Sequence, residues 1–300
     1  MKKKVLVLGA SGMLGIEVIR HLLKENITLF ATIRNFSDKK KIKNYLNSNI
    51  SNIKFYKFSI KGGYAHKLKK IVKNKDYIVN CIGLIKPYIS ENNIDDVTNA
   101  ININSIFPYR LNDCVGKNTK IFQIATDCVY DGKKGDYKEN DSHDAIDVYG
   151  KTKSLGEIKS KNFFNIRCSI IGKEIKNFNS LLCWFLNQKK NSQIFGFKNH
   201  LWNGITTNHF GKIISALITQ QIKIPNLIHI MPNDTVNKYK LLKLFQEKFK
   251  RHDLKIKEIN AKFVVNRTLK TKFKNINKKI NNSLGLKKAP NINHMIKDII

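Results

Sequence analysis

A tyrosine and a lysine stand four residues apart in the segment DVYGKTKSLGE, residues 147–157. Residues at this spacing lie on the same face of a helix, so Tyr149 and Lys153 are expected to point the same way. An ammonium beside a phenol favours the phenolate, which lowers the tyrosine pKa from about 10 and allows acid–base chemistry near neutral pH. A pair of ordinary surface residues is the alternative, and the neighbouring motifs decide between the two.

A glycine-rich turn follows the first apolar run of the chain. The segment LGASGMLG, residues 8–15, places three glycines between a predicted strand and a predicted helix. Glycines are needed where the backbone turns sharply, approaches a pyrophosphate and packs a helix on a sheet. The free N–H groups at the helix N-terminus can then bind phosphate oxygens. The predicted dinucleotide-binding residues of this turn are Gly9, Ser11, Gly12, Met13, Leu14 and Gly15.

The end of the second predicted strand indicates which dinucleotide binds. An acidic residue there would hold the ribose 2′-hydroxyl of NAD, whereas an arginine accommodates the 2′-phosphate of NADP. The segment FATIRNFSDKK, residues 30–40, has no acidic residue where the strand ends and has Arg34 at that point. We therefore predict NADP(H) as the cofactor, with Arg34 among its ligands.

The first half of the chain alternates short apolar runs with amphipathic segments, which is typical of a parallel sheet covered by helices. The predicted strands lie at 4–8, 27–32, 53–58, 77–82, 120–126 and 163–170. Helices are predicted at 13–26, at 101–115, where Pro108 bends or interrupts the helix, and around Tyr149. The predicted fold class is α/β, with a Rossmann-type doubly wound parallel sheet over residues 1–170.

After residue 170 the pattern is less regular. It predicts a smaller substrate-binding subdomain over residues 171–300, part of which returns to the first domain. Helices are predicted at 179–188, 209–221 and 238–251, a strand at 226–231 and a loop at 200–207. In that loop Trp202 and Asn203 are expected to line a sugar–nucleotide pocket, because an aromatic ring can stack on a base. A core position for the tryptophan is the alternative.

Five motifs extend these observations to a known family. They are GASGMLG (9–15), NCIG (80–83), NSIFPYRL (104–111), TDCVYDG (126–132) with the downstream VYGKTK, and IRCSIIG (166–172). With them, residues 4–172 resemble an extended short-chain dehydrogenase/reductase, whose catalytic signature is Ser/Thr…Tyr-x-x-x-Lys. The closer resemblance is to the dTDP-4-dehydrorhamnose reductase group of nucleotide-sugar reductases. That group has S-T-D-x-V-F-D-G at the fifth strand, and Ala125 replaces its serine.

The resemblance implies a role for each matching residue. Thr126 would polarise the substrate carbonyl, Tyr149 would donate the proton, and Lys153 would tune the tyrosine and hold the nicotinamide ribose. Beyond the glycine turn and Arg34, the residues implied to bind the cofactor are Cys81, Ile82, Gly83, Asn104, Tyr149 and Lys153. Those expected to bind the substrate are Thr126, Asp127, Arg167, Trp202 and Asn203. For Arg167, at the end of the sixth strand, an internal ion pair is the alternative to a phosphate contact.

The residue after the Thr-Asp pair separates reactions in this superfamily. The resemblance implies Thr-Asp-Glu at these three positions in the 4,6-dehydratases, which use the two acids to eliminate water. Here Cys128 stands in the third position. We therefore expect NADPH-dependent reduction of the 4-keto group of a nucleotide-linked 4-keto-6-deoxy sugar, in the synthesis of a surface polysaccharide. A nucleotide-sugar epimerase with the same tyrosine and lysine, and a non-catalytic NADP-binding regulatory protein, are the alternatives.

The net charge of +33, from 55 Lys and Arg against 22 Asp and Glu, raises the question of nucleic-acid binding. The lysines are spread over the whole chain and no nucleic-acid-binding motif occurs, so we attribute the charge to compositional drift and expect no such partner. The five cysteines lack C-x-x-C spacing, so neither disulfides nor a metal site is predicted. No apolar run approaches the roughly 20 residues of a membrane span. We expect a cytoplasmic enzyme, and the resemblance implies a homodimer.

Overall fold

The computed structural model describes residues 1–176 and 178–300. Its strands are β1 (Lys4–Leu8), β2 (Thr28–Ile33), β3 (Lys54–Lys57), β4 (Tyr77–Asn80), β5 (Lys120–Ala125), β6 (Phe163–Arg167), β7 (Ile170–Ile171), β8 (Gln193–Phe197), β9 (His200–Trp202), β10 (Ile205–Thr206), β11 (Leu227–His229), β12 (Val236–Asn237), β13 (Lys255–Ile259) and β14 (Val265–Asn266). Its α-helices are α1 (Met13–Leu22), α2 (Asp38–Leu46), α3 (Tyr64–Val72), α4 (Ile94–Ala100), α5 (Phe107–Cys114), α6 (Val148–Leu155), α7 (Leu181–Leu186), α8 (Thr207–Thr219), α9 (Lys238–Phe249), α10 (Lys274–Ser283) and α11 (Ile292–Lys297).

Seven strands form one sheet in the order β11-β6-β5-β4-β1-β2-β3, and every pairing within it is parallel. Apolar side chains pack with α1 and α8 on one face and with α3 and α5 on the other. Because both faces are covered, a central strand such as β1 is apolar along nearly its whole length, with Val5 to Leu8 fully buried. This is the Rossmann-type doubly wound sheet that the sequence predicts. The strand order reverses beside β1, so ligands are expected at the carboxyl ends of β1 and β4.

The chain after residue 170 contributes both to the large sheet and to smaller ones. Strand β11 pairs with β6, and α8 packs against α1. The segment 200–207, predicted as a loop, contains β9 and β10, which pair with β12 and β14 and with β7. That loop prediction was wrong because strands of two or three residues are too short to show an apolar period. Among the described residues, none of the helices has the length and apolar character required to cross a bilayer.

The helix predicted at 101–115 belongs to a longer helical stretch that begins at Ile94. Between α4 and α5 it widens into a π-helical segment, Ile101–Ile106. Pro108 has no backbone N–H and cannot donate to the carbonyl of Asn104, which accounts for the wide turns just before it. The π-helical segment presents the Asn104 side chain to the loop after β4. There Asn104 Nδ2 donates to Leu84 O (3.0 Å) and Asn104 Oδ1 accepts from Leu84 N (2.8 Å).

Candidate active site

A cleft of about 590 Å³ runs along the carboxyl edge of the large sheet. The ends of five neighbouring strands line it, with Arg34 after β2, Ser11 after β1, Cys81 after β4, Thr126 after β5 and Cys168 after β6. Adjacent strands are about 4.8 Å apart, so the three spacings between β2 and β5 amount to roughly 14 Å. That length suits a dinucleotide that lies across the strand ends.

The glycine turn forms the floor of this cleft beside β1. Gly9 has a φ of +79°, a conformation that favours glycine, and Gly12 N donates to Gly9 O (3.0 Å). A Cβ on Gly15 would lie 2.2 Å from Gly9 O, so only glycine lets α1 pack this closely. The four residues of the turn that line the cleft are Ser11, Gly12, Met13 and Leu14. Gly9 and Gly15 therefore shape the turn, while the residues between them are in position to contact a pyrophosphate.

The β2 end of the cleft is cationic. Arg34 lines it and is exposed. The first acidic residue after β2 is Asp38, which is 4% exposed and turned inward. Its carboxylate accepts a hydrogen bond from Ser11 Oγ (3.3 Å) and pairs with Lys176 Nζ (2.5 Å). Because Lys176 neutralises this carboxylate, Arg34 remains available to a phosphate.

Helix α6 carries the tyrosine and lysine into the cleft. Asp147 caps the helix, since its Oδ1 accepts a hydrogen bond from Gly150 N (2.7 Å). Tyr149 and Lys153, one turn apart, both line the cleft, as the spacing predicts. Lys153 is 7% exposed, and its Nζ donates to Ile124 O (2.8 Å). The main chain of β5 thus holds the ammonium at the strand end that carries Thr126.

Thr126 completes a group of three at the end of β5. Its hydroxyl donates to a carboxylate oxygen of Asp127 (3.2 Å), and it is close enough to Tyr149 to oppose the rise in the pKa of the phenol. Cys128 N donates to Thr126 Oγ1 (3.2 Å), which fixes the side chain. The structure therefore brings together the three predicted catalytic residues and, next to them, Asp127 at the cleft wall.

The electrostatics of the tyrosine differ from the expectation. Burial raises the pKa of Tyr149, the nearby Cys128 raises it further, and the hydroxyl of Thr126 offsets this only in part. Burial also lowers the pKa of Lys153 to about 8. The predicted lowering of the tyrosine pKa by the lysine is thus absent here, because desolvation of the phenol is the larger effect. Tyr149 stays protonated at neutral pH, which is the form that a proton donor needs.

Two residues implied to bind the cofactor stand behind the cleft wall. Asn104 does not line the cleft, and it holds the loop after β4 through its two hydrogen bonds with Leu84. Ile82 packs beneath the glycine turn, where its Cγ1 lies 3.0 Å from the place of a Cβ on Gly9. Gly83 does line the cleft, and a Cβ on it would lie 3.9 Å from Lys153 Nζ. Asn104 and Ile82 therefore position the wall, and contact with a cofactor remains a prediction.

Arg167 is wholly buried, in contrast to the expected phosphate contact. Its guanidinium binds both carboxylate oxygens of Glu157, at 3.0 and 2.5 Å. It also donates to Tyr130 Oη (2.6 Å), His229 Nε2 (2.7 Å) and His143 Nε2 (2.7 Å). Since these partners use its donors and it lies outside the cleft, Arg167 forms the internal ion pair that was the alternative, and the substrate-binding prediction is corrected.

A serine, a histidine and a glutamate meet beside this network, around a second cavity of about 450 Å³. His143 Nδ1 lies 2.6 Å from Ser154 Oγ, and Glu157 is on the other side of the ring. Arg167 can only donate, so His143 Nε2 must accept and Nδ1 must carry the proton. In that tautomer His143 cannot take a proton from Ser154. The cluster is therefore structural.

Within residues 1–176 and 178–300 no cluster of His, Cys, Asp and Glu could hold a metal ion.

The buried histidines predict loss of stability in mild acid. Burial lowers the pKa of His209 and that of His229 to about 4, against 6.5 in the unfolded chain. Between pH 6.5 and 4 the unfolded state therefore binds more protons than the folded state. The contribution of these histidines to the free energy of unfolding is complete above pH 6.5 and is lost as the pH falls toward 4. We expect a loss of at least about 2 kcal/mol across this window. Urea unfolding at pH 7, 5.5 and 4.5 measures it, and an unchanged midpoint would contradict the two low pKa values.

The other two residues expected to contact a substrate are also engaged within the protein. Trp202 is 4% exposed, and its Nε1 donates to Ser169 Oγ (2.9 Å). Asn203 exchanges two hydrogen bonds with the main chain of Leu269, at 2.8 and 2.9 Å. The tryptophan therefore takes the core position that was its alternative, and neither residue lines the cleft. Residues that the sequence did not single out line it instead, among them Lys86, Tyr88, Ser169, Glu174, Lys176, Asn179 and Lys238.

The parallel sheet, the glycine turn and the Thr–Tyr–Lys group define an extended short-chain dehydrogenase/reductase. The family model described as "RmlD substrate binding domain" matches residues 2–300, and the chain belongs to that family.

The chain is also similar to individual known proteins, in sequence to one and in fold to others. The chain is 33% identical over 97 residues to a dTDP-4-dehydrorhamnose reductase of Aggregatibacter actinomycetemcomitans, and the match spans 29% of this chain and 33% of that protein. A dTDP-4-dehydrorhamnose reductase of Bacillus anthracis in complex with NADP has a TM-score of 0.71 at 16% identity, covering 99% and 97% of the two chains. A UDP-glucuronic acid 4-epimerase of Bacillus cereus in complex with NAD has a TM-score of 0.73 at 16% identity, covering 100% and 95%. At these identities the two structures show a shared fold.

Proposed function

We propose that the protein reduces the 4-keto group of a nucleotide-linked 4-keto-6-deoxy sugar with NADPH, for the synthesis of a surface polysaccharide. A relative that is 33% identical over 97 residues is named a dTDP-4-dehydrorhamnose reductase. The observation that carries the proposal is the meeting of Thr126, Tyr149 and Lys153 at the end of β5, inside a cleft that a dinucleotide can span.

The cleft fits a dinucleotide on its own geometry. The glycine turn leaves no room for a side chain at Gly15, and Ser11 to Leu14 face the cleft at the N-terminus of α1. Arg34 stands at the far end, where the 2′-phosphate of NADPH would lie. When bound, NADPH supplies the hydride that reduces the ketone.

The residues of this chain supply the proton and its control. Thr126 donates a hydrogen bond toward the carbonyl oxygen and polarises it. Tyr149, which burial keeps protonated, gives its proton to the oxygen as negative charge develops there. Lys153 remains charged below pH about 8, so it stabilises the phenolate that is left. Cys128 occupies the place of the second acid of a dehydratase, which favours simple reduction.

Oxidation of NADPH is the direct test of this proposal. The protein, NADPH and a panel of 4-keto-6-deoxy sugars linked to dTDP, UDP or GDP are mixed, and the absorbance of the reduced nicotinamide is followed. We expect one of these substrates to consume NADPH in proportion to the alcohol formed. A panel in which no member consumes NADPH would contradict the proposal.

The epimerase alternative has specific support, because a UDP-glucuronic acid 4-epimerase shares the fold over the whole chain. An epimerase returns the hydride to its substrate, so it retains its cofactor and consumes none. We expect this protein to lose NADP(H) on dialysis and to require it in excess. Tightly bound cofactor after purification, together with isomerised sugar and no net oxidation, would favour the epimerase instead.

The cofactor prediction rests on the β2 end of the cleft. NADPH should bind more tightly than NADH by at least about tenfold, which is 1.4 kcal/mol, because Arg34 is available and Asp38 is already paired. Changing Arg34 to Ala should shrink this gap by weakening NADPH alone. Titration of both cofactors by nicotinamide fluorescence measures it, with Lys39→Ala as the matched control nearby. Equal affinities in the native protein would refute the assignment of NADP(H).

Assembly and location follow as parts of the same proposal. Ile94, Ile106, Tyr109 and Leu155 are large exposed side chains on α4, the π-helical segment, α5 and α6, and they support a homodimer through these helices. All five cysteines, each among the described residues, are free thiols, which fits a reducing cytoplasm. We propose no nucleic-acid partner. A salt-dependent gel shift would reveal one if the high charge served that purpose.

A further inference from the structure

Lys238 is a cation of the cleft that the catalytic mechanism does not use. It is the first residue of α9, and its side chain lines the same cleft as Thr126 and Tyr149. The ammonium lies 5.9 Å from the ring of Trp202, a contact of the cation–π type. The tryptophan, held by Ser169, thus aims the lysine into the cleft.

The Lys238 ammonium is poorly compensated in the protein alone. In the part of the chain that the structure describes, it donates no hydrogen bond and forms no ion pair, although Asp127 and Cys128 are close enough to act on it electrostatically. Burial lowers the pKa of Lys238, which means that the surroundings disfavour its charge. An ammonium in such a place is stabilised when an anion binds beside it.

The position of Lys238 assigns it to the substrate end of the cleft. A dinucleotide would run from Arg34 after β2 toward Tyr149, which is opposite the end of β5. Lys238 lies near Asp127 and Cys128, just after β5, and is therefore at the reacting end of the cleft, away from Arg34. An anion bound there belongs to the second ligand, the substrate.

A second side chain in the cleft also lacks a partner. The hydroxyl of Tyr88 is buried and, among the described residues, has no hydrogen-bond partner. Its loop is tied to the start of α6 by the ion pair between Lys86 and Asp147 (2.7 Å). Buried polar groups are nearly always hydrogen-bonded, so an unpaired hydroxyl on a cleft wall indicates that a bound molecule completes it.

The charge of the whole cleft agrees with an anionic substrate. Five basic side chains line it against two acidic ones, namely Arg34, Lys86, Lys153, Lys176 and Lys238 against Asp127 and Glu174. Arg34 faces the cofactor end and Lys153 the nicotinamide, while Lys86 and Lys176 are paired with Asp147 and Asp38. Of the five, Lys238 is left, with no ion pair among the described residues. We propose that the Lys238 ammonium binds the diphosphate of the nucleotide-sugar substrate, an inference that rests on the proposed function for its substrate class.

A binding experiment without turnover tests this inference. The NADP⁺-saturated protein is titrated calorimetrically with dTDP, UDP and GDP, and with the corresponding nucleosides, which lack the phosphates. Lys238→Met should weaken the best diphosphate by about tenfold to a hundredfold, as expected for a lost charged hydrogen bond, and should leave nucleoside binding unchanged. Lys238→Arg keeps the charge and should restore most of the affinity.

Lys240→Met is the matched control, because it removes one charge from an exposed side chain of the same helix. It should leave the affinity for the diphosphate within about twofold of the native value. Equal losses in the two variants, an unchanged affinity in Lys238→Met, or no diphosphate binding by the native protein would each overturn the inference.

The role of Lys238 and the proposed reduction can fail independently of each other. If the native protein oxidises NADPH with a 4-keto sugar while Lys238→Met binds diphosphates normally, the inference fails and the reductase stands. If diphosphate binding depends on Lys238 but none of the 4-keto sugars is reduced, the inference stands and the reductase fails.

Discussion

Replacing Tyr149 by Phe should lower kcat by roughly 10²–10⁴, the usual range for the loss of a general acid. The substitution removes only the phenolic O–H, and the ring still fills its place beside Thr126. NADPH affinity should therefore stay within about threefold of the native value. Steady-state kinetics with the reducible sugar and a fluorescence titration of NADPH measure the two quantities. Full turnover by Tyr149→Phe would contradict the assignment of the proton donor.

Two further variants separate the roles of the neighbours. Lys153→Met should reduce kcat and weaken NADPH binding together, since the lysine is assigned to both the phenol and the ribose. Thr126→Val should lower kcat with a smaller effect on the affinity for the cofactor, because its proposed partner is the substrate carbonyl.

In the native protein kcat should decline as the pH rises through about 8, where Lys153 loses its charge. If kcat of Lys153→Met declined in the same way near pH 8, the decline would have to be assigned to another group.

Replacing Arg167 by Met should destabilise the protein by about 3–5 kcal/mol, because it leaves the buried carboxylate of Glu157 without its partner. The same change removes the donor to His229, His143 and Tyr130. The effect should appear as a lower urea midpoint with an unchanged slope. The cofactor should still bind to the fraction that remains folded, since Arg167 lies outside the cleft.

A double-mutant cycle shows whether the pair itself is responsible. Glu157→Leu alone should also destabilise, and the double variant should lose at least about 1 kcal/mol less than the sum of the single changes. Lys134→Met, which breaks the ion pair with Asp141 on the exposed side of the molecule, is the control and should change stability by about 1 kcal/mol or less. Losses that add in full would mean that Arg167 and Glu157 act independently.

The sequence predicts the parts of the fold that depend on apolar periodicity and glycine. The six strands of the first half lie within three residues of their observed bounds, and the glycine turn stands where a Cβ on Gly15 would collide with Gly9. Tyr149 and Lys153 share a helix face because spacing alone dictates it. Helices α2 and α3 were not predicted. In α2 few apolar residues, such as Ile42 and Leu46, stand among the lysines, whereas α3 does place Leu68, Ile71 and Val72 at helical spacing.

The substrate half of the site could not be predicted in the same way. Arg167, Trp202 and Asn203 have side chains that suit a ligand, but each finds its partner within the protein, and local sequence does not show which partner tertiary packing will supply. Lys238 is one lysine among many, so nothing in its neighbourhood of the sequence distinguishes it. Its significance comes from the pairing of β12 with β9, which brings the start of α9 to the cleft.

Transfer of a labelled hydride tests the central claim most directly. The protein is given NADPH that carries deuterium at the transferable position of C4 of the nicotinamide, together with the 4-keto sugar that consumes it, and the product is examined by mass spectrometry and NMR. We predict one deuterium at C4 of the sugar and one NADP⁺ for each molecule of product, and in Tyr149→Phe the same product formed roughly 10²–10⁴ times more slowly. A product without deuterium, formed by isomerisation while NADPH is conserved, would contradict the account and identify the protein as an epimerase.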